Sequence, residues 1–356
     1  MGSHKNNNSR MADTHMGHSN FIGLDQKAQV FQIKGPRMFR SFFLSRRWAL
    51  WAWSGLLVLV ALVFITVQQT VKLNAWYGQF YDLLQKPEQA GGLEKFWGFM
   101  WQFAWIAFPF MLLRSLETYL ASHFAFRWRQ AMTEEYLPRW QGTETSIEGA
   151  SQRIQEDCMR FARQTENLGL GLVRAVLTLL SFIPILWALS SGMAIVWLQF
   201  EGSLFWVALA MALGGTVISW FVGIRLPGLE YNNQRTEAAL RKDLVFAEDE
   251  RSRMHLLTVL ELFMGVRLNN FRLFNHYAYF YLWSNFYGQM MVIFPFLLMG
   301  PSLFTGLITL GVIQQVSNAF SKVNDAFSYL IERWTDITEL RSIYKRLSEF
   351  EKALAD

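Results

Sequence analysis

Long apolar runs alternate along the chain with more polar connections, two of them about 50 residues long. The run "WALWAWSGLLVLVALVFITV" (48–67) carries no charge, and at about 20 residues it matches the length a helix needs to cross roughly 30 Å of hydrocarbon. Similar runs follow at 96–113, 168–189 and 203–224, the third interrupted by Arg174. A fifth, at 277–299, is aromatic and contains Asn285 and Gln289. A sixth, weaker run is centred on 302–313 and continues amphipathically towards residue 340. Segments that cross lipid must satisfy their backbone hydrogen bonds internally, and no barrel-like alternation is present, so each run predicts a helix.

The basic residues fall on one side of this pattern. Taking 26–47, 115–167, 225–276 and 314–356 together gives 26 lysines and arginines, whereas the intervening connections at 68–95, 190–202 and 300–301 hold only Lys72, Lys86 and Lys95. By the positive-inside rule, both termini and both long loops are expected in the cytoplasm. Trp76, Tyr77 and Tyr81, at the start of the first outer connection, suit an interfacial aromatic belt. The two long polar stretches are helix-favouring, which predicts helices that continue well beyond the bilayer. One extension after the second span and another after the fourth is the layout of exporter-type ABC membrane domains, an analogy at the level of fold.

The second of these stretches, "LPGLEYNNQRTEAALRKDLVFAEDE" (226–250), aligns three carboxylates. Spacings of seven and eleven residues put Glu230, Glu237 and Glu248 on one narrow helical stripe about 27 Å long. Arg241, four residues after Glu237, shares the face in a favourable orientation for an ion pair. Spacing alone leaves two readings open: a solvated face, or a row of acids facing an aqueous cavity, where desolvation brings carboxyl protonation towards neutral pH. Glu166, before the third run, and Glu117, after the second, would extend such a row. Arg174 within a span requires a partner, either a structural acid or a group on the transport path.

Composition narrows the classes. The chain has 356 residues, 52% hydrophobic and 17% charged, against about a quarter charged in soluble domains. The net charge of +5 is dispersed over the polar regions, so nucleic acid is not an expected partner. A single cysteine, Cys158, excludes an internal disulfide or a cysteine metal cluster and reads as a buried thiol. His123, His255 and His276 lack metal-ligand spacing, and no phosphate loop, dinucleotide fingerprint, HExxH or GxSxG occurs. No enzyme activity, metal or cofactor is expected. Residues 1–25 lack the apolar content to order themselves and are expected to be a disordered leader. The basic segment 26–47 is too short to span and predicts an interfacial amphipathic helix.

The segments "VKLNAWYGQFYDLLQ", "SHFAFRWRQAMTEEY", "IEGASQRIQEDCMRFARQTENLG", "VGIRLPGLEYNNQRTEAALRKDLVFAEDE" and "SIYKRLSEFEK" closely resemble the SbmA/BacA family of bacterial peptide-antibiotic transporters, from about Trp48 to Leu354. The resemblance implies an all-α polytopic fold: six transmembrane helices with long cytoplasmic extensions, like an ABC exporter membrane domain without its ATPase, entwined as a homodimer. It implies an inner-membrane importer that uses the proton gradient to move peptides, antimicrobial peptides among them, with both termini cytoplasmic. It further implies a ladder of glutamates. Glu166 in "RQTENLG", Glu237 in "QRTEAAL" and Glu248 in "VFAEDE" match its motif positions; Glu230 in "LPGLEY" and Glu156 in "RIQEDC" match other acids of the pattern. The expected organisation is a six-span domain over 48–340 followed by a short cytoplasmic helix over 341–356. Two other functions fit the residues: the membrane half of an ABC transporter with a separate ATPase subunit, and a non-transporting peptide receptor or scaffold.

Overall fold

The computed structural model describes residues 37–88, 92–143, 147, 149–190, 200–249 and 255–354. The leader expected over 1–25, the segment 26–36 and residues 191–199 of the third connection lie outside them. Among the described residues every regular element is helical: α1 (Arg37–Phe43), α2 (Ala49–Gln85), α3 (Gly92–Gln141), α4 (Ala150–Gln152), α5 (Cys158–Leu189), α6 (Ser203–Gly223), α7 (Leu226–Asp249), α8 (Leu256–Phe304), α9 (Leu310–Glu332) and α10 (Trp334–Ala353). A single π-turn, Arg153–Asp157, joins α4 to α5.

Among the described residues, five helices are long and apolar enough to cross a membrane: α2, α3, the continuous α4–α5 unit, the α6–α7 unit and α8. At 1.5 Å per residue, the 50-residue α3 and the 49-residue α8 are roughly 75 Å long, more than twice the hydrocarbon thickness. Their prolines, Pro109 and Pro138 in α3 and Pro295 and Pro301 in α8, are accommodated within the helices. The sixth run differs from expectation. Its centre, 302–313, is a helix end and a turn: α8 continues to Phe304, Gly306 takes φ +76°, and α9 begins at Leu310. The connection expected at 300–301 is therefore displaced to 305–309, and α9 carries the amphipathic continuation of the run. The predicted boundary at residue 341 likewise falls inside α10, because the chain breaks helix at Arg333.

Two cores hold the bundle. The first joins α1, the starts of α2 and α5, the end of α3 and α10. Here Phe42 stacks on Trp128 with ring centroids 5.7 Å apart, and Trp128 donates its indole N–H to the Met38 carbonyl at 2.9 Å. The described part of the expected interfacial helix, α1, thus turns Met38 and Phe42 inward, both fully buried. The second core joins the end of α5, α6, the end of α8 and the first part of α9. Trp76 also departs from the belt reading: it is buried, stacks on Phe80 at 4.7 Å and donates to the Phe99 carbonyl at 3.0 Å, closing the α2–α3 hairpin.

The α2–α9 contact is unusually close. A Cβ on Gly311 would meet the Gly78 carbonyl oxygen, and one on Gly78 would meet the Gln315 side chain. Small residues let these backbones approach, as at membrane helix interfaces generally. The approach lets α2 cap α9, because Asp82 Oδ1 accepts the Gly311 N–H at 2.9 Å and Gln85 Oε1 accepts the Leu310 N–H at 2.8 Å.

Candidate functional site

Three helices enclose a cavity of about 890 Å³. Helix α3 contributes Arg114, Glu117, Thr118, Ser122 and Arg129; α5 contributes Arg163, Glu166, Asn167, Arg174 and Thr178; α9 contributes Lys322, Asp325, Tyr329 and Glu332. On each helix these positions recur every three or four residues, so one polar face per helix turns to a common space. Polar faces at this depth in a membrane bundle are stable only against one another or against water, which makes the cavity the candidate site.

Its wall is organised around Glu117, which is 7% exposed. The carboxylate pairs with Arg174 from α5 and with Arg114 one turn earlier at 3.3 Å. Arg174 also donates to the Thr66 hydroxyl of α2 at 3.3 Å. The two residues left without assignment by the sequence are therefore each other's partners, and they tie α2, α3 and α5 together. A buried charge without a partner is strongly unfavourable, so the pair fixes the position of all three helices.

The remaining ionic groups are less constrained. Glu166 lies half-buried, within the fields of Glu117 and of Arg163. Among the described residues Glu166, Asp325, Glu332, Arg163 and Lys322 form no ion pair within 4 Å, whereas Arg333 at the rim pairs with Asp336 at 3.2 Å. Tyr329 crosses to α5, donating its hydroxyl to the Leu168 carbonyl at 3.1 Å, where Gly171 leaves room for the ring. The cavity thus holds three carboxylates able to take up protons and two cations free of ion pairs, besides Arg129, which donates to the Gln155 carbonyl at 3.2 Å.

Of the acids expected to form the row, Glu166 and Glu117 line this cavity. Glu156 lies on the π-turn, paired with Arg160 at 2.6 Å. Glu230 is half-buried on α7, and Glu237 and Glu248 are exposed along it; the anticipated Glu237–Arg241 pair does not form. Sequence reading missed Lys322, Asp325 and Glu332. The signal was present in the polar stripe Gln314, Asn318, Lys322, Asp325, Tyr329 and Glu332, which repeats at helical spacing through α9.

A charged cavity walled by long helices within a bundle of apolar, membrane-length helices defines a polytopic membrane protein. More specifically, the chain belongs to the SbmA/BacA-like family, whose model matches residues 45–355. It is also 26% identical to the inner membrane ABC transporter ATP-binding protein YddA of Escherichia coli (strain K12), over 83% of this chain and 56% of that protein. It is 28% identical to the chloroplastic ABC transporter D family member 2 of Arabidopsis thaliana, over 83% of this chain and 42% of that protein. The chain spans about half the length of these relatives.

Proposed function

We propose that the protein is a proton-gradient-driven importer of peptides, peptide antibiotics included, working as a homodimer in the bacterial inner membrane with both termini cytoplasmic. The observation that carries this reading is the set of unpaired carboxylates, Glu166, Asp325 and Glu332, facing one cavity beside the fixed Arg174–Glu117–Arg114 cluster. Taking up protons there removes like-charge repulsion and changes the relative stability of outward-open and inward-facing states. A second copy supplies the rest of the passage. Leu244, Val245 and Phe246 on α7 and Leu260, Phe263 and Met264 on α8 leave apolar area exposed on this arm, and two-fold pairing is the commonest way to cover it. In such a dimer the α7 stripe of Glu230, Glu237 and Glu248 would face the shared axis and relay protons between the cavity and the cytoplasm.

The test is uptake of a labelled proline-rich peptide by cells carrying Glu237→Gln or Glu248→Gln. Loss of uptake with dimer yield unchanged is expected; uptake equal to the parent in both variants contradicts the relay. A second reading rests on the relatives whose names include ATP binding and whose length is about twice the matched part: the chain would be the membrane half of an ATP-driven transporter. Dependence of uptake on ATP in sealed vesicles, with no response to a pH gradient, favours that alternative.

A further inference from the structure

The cavity-lining helix α9 and its successor α10 are fastened to different parts of the molecule. Helix α9 belongs to the second core through Ile313, Val316, Ala319, Phe320 and Val323, and Tyr287 of α8 donates its hydroxyl to Asn324 Oδ1 at 2.5 Å. Helix α10 belongs to the first core through Ile343, Leu347 and Phe350. Between them stands one residue, Arg333, with φ −95° and ψ 12°, at the rim of the cavity.

The fastening of α10 is ionic as well as apolar. Asp157, 1% exposed at the end of the π-turn, accepts the Arg346 guanidinium as a fork: Nε to Oδ2 at 2.9 Å and Nη2 to Oδ1 at 2.7 Å. This bidentate geometry is the strongest form of an arginine–carboxylate pair, and hydrogen bonding to Asp157 holds the Arg346 pKa above its ordinary value. One turn along α5, Arg160 reaches Glu339 at 3.0 Å. At the other end of α10, Glu351 is 9% exposed and accepts the backbone N–H groups of Arg37 at 3.0 Å and Met38 at 2.6 Å, together with the Tyr136 hydroxyl at 2.6 Å. The exposed N–H groups at the start of α1 are thus capped from the far end of the sequence. The π-turn matters here because one extra residue in the turn rotates the following helix. Asp157 faces α10 while Arg163 and Glu166, further along the same helix, face the cavity; π-turns of this kind concentrate at functional positions.

We propose that Arg333 is a hinge and that the Arg346–Asp157 fork and the Glu351 clasp form a latch. The latch holds α10 to the first core so that α9 moves against a fixed support when the cavity opens or closes. Asp157, Arg346 and Glu351 are positioning residues, since none touches the cavity. This device depends neither on the identity of the cargo nor on the energy source, so its test does not use transport.

The experiment measures the distance between spin labels at Leu330→Cys on α9 and Leu116→Cys on α3, in a Cys158→Ala background with labelled protein diluted into unlabelled protein. The parent is expected to give one dominant distance, with any second state at or below about 10%. Arg346→Met combined with Asp157→Leu removes both charges of the fork; Arg153, the other cation near Asp157 at 3.9 Å, is 24% exposed and can turn to solvent, so the fold persists. In this variant the second distance is expected to become the major population. Arg346→Lys, which keeps the charge but loses the fork, and Glu351→Gln are expected to give intermediate populations. An unchanged distance distribution in the folded double variant overturns the proposal. If the double variant does not fold, unchanged distributions in both single variants overturn it equally.

Discussion

Glu166→Gln is expected to lower gradient-driven accumulation strongly and to leave the fold intact. The substitution is nearly isosteric and replaces a group that can carry a proton with one that cannot. Each proton moved through 100 mV supplies about 2.3 kcal/mol, equivalent to roughly a fifty-fold concentration ratio of the coupled solute. Losing one coupled proton should therefore lower steady-state accumulation by about that factor. Exchange of peptide across the membrane without a gradient should continue, because the Arg174–Glu117–Arg114 cluster and the Tyr329–Leu168 contact are untouched. Thermal stability should stay the same or rise slightly, since a carboxylate within the field of Glu117 is removed. Accumulation equal to the parent, with the same pH dependence, would show that Glu166 carries no proton in the cycle.

Arg174→Met is expected to destabilise the fold strongly. It leaves Glu117, 7% exposed, with Arg114 as its only remaining cation and removes the donor to Thr66. Breaking a buried pair from one side costs about 3–5 kcal/mol; the 29% exposure of the Arg174 side chain and the surviving Arg114 contact place this case near about 3 kcal/mol. Adding Glu117→Leu removes the orphaned charge and should restore most of that loss. Unfolding in detergent followed by tryptophan fluorescence measures both variants. A double variant no more stable than Arg174→Met would mean that the pair is not the element joining α2, α3 and α5.

What the sequence revealed follows from the range of each interaction. The apolar runs at 48–67, 96–113, 168–189 and 203–224 all lie within helices, because membrane crossing depends on local composition. The sixth run misled because its apolar residues span a helix end, a turn and a helix start, while the functional face of α9 lies after it. Asp325 and Glu332 would have emerged from the three-to-four spacing of polar residues there. The Glu117–Arg174 pair could not have emerged, since residues 57 positions apart in sequence are matched only by the packing of α3 on α5. The same holds for Glu351, whose partners Arg37 and Met38 lie more than 300 residues away. Glu230, Glu237 and Glu248 do lie on one helix, α7, and within one chain Glu237 and Glu248 are exposed.

The most direct test is uptake of a labelled proline-rich peptide into liposomes containing the purified protein and no nucleotide. The compartment entered is held about one pH unit more alkaline than the side of peptide addition. Accumulation above the external concentration, abolished by a protonophore and reversed in direction when the gradient is reversed, is the predicted result. Simple equilibration under the pH gradient, with accumulation appearing only when ATP and a second protein are supplied, would contradict it.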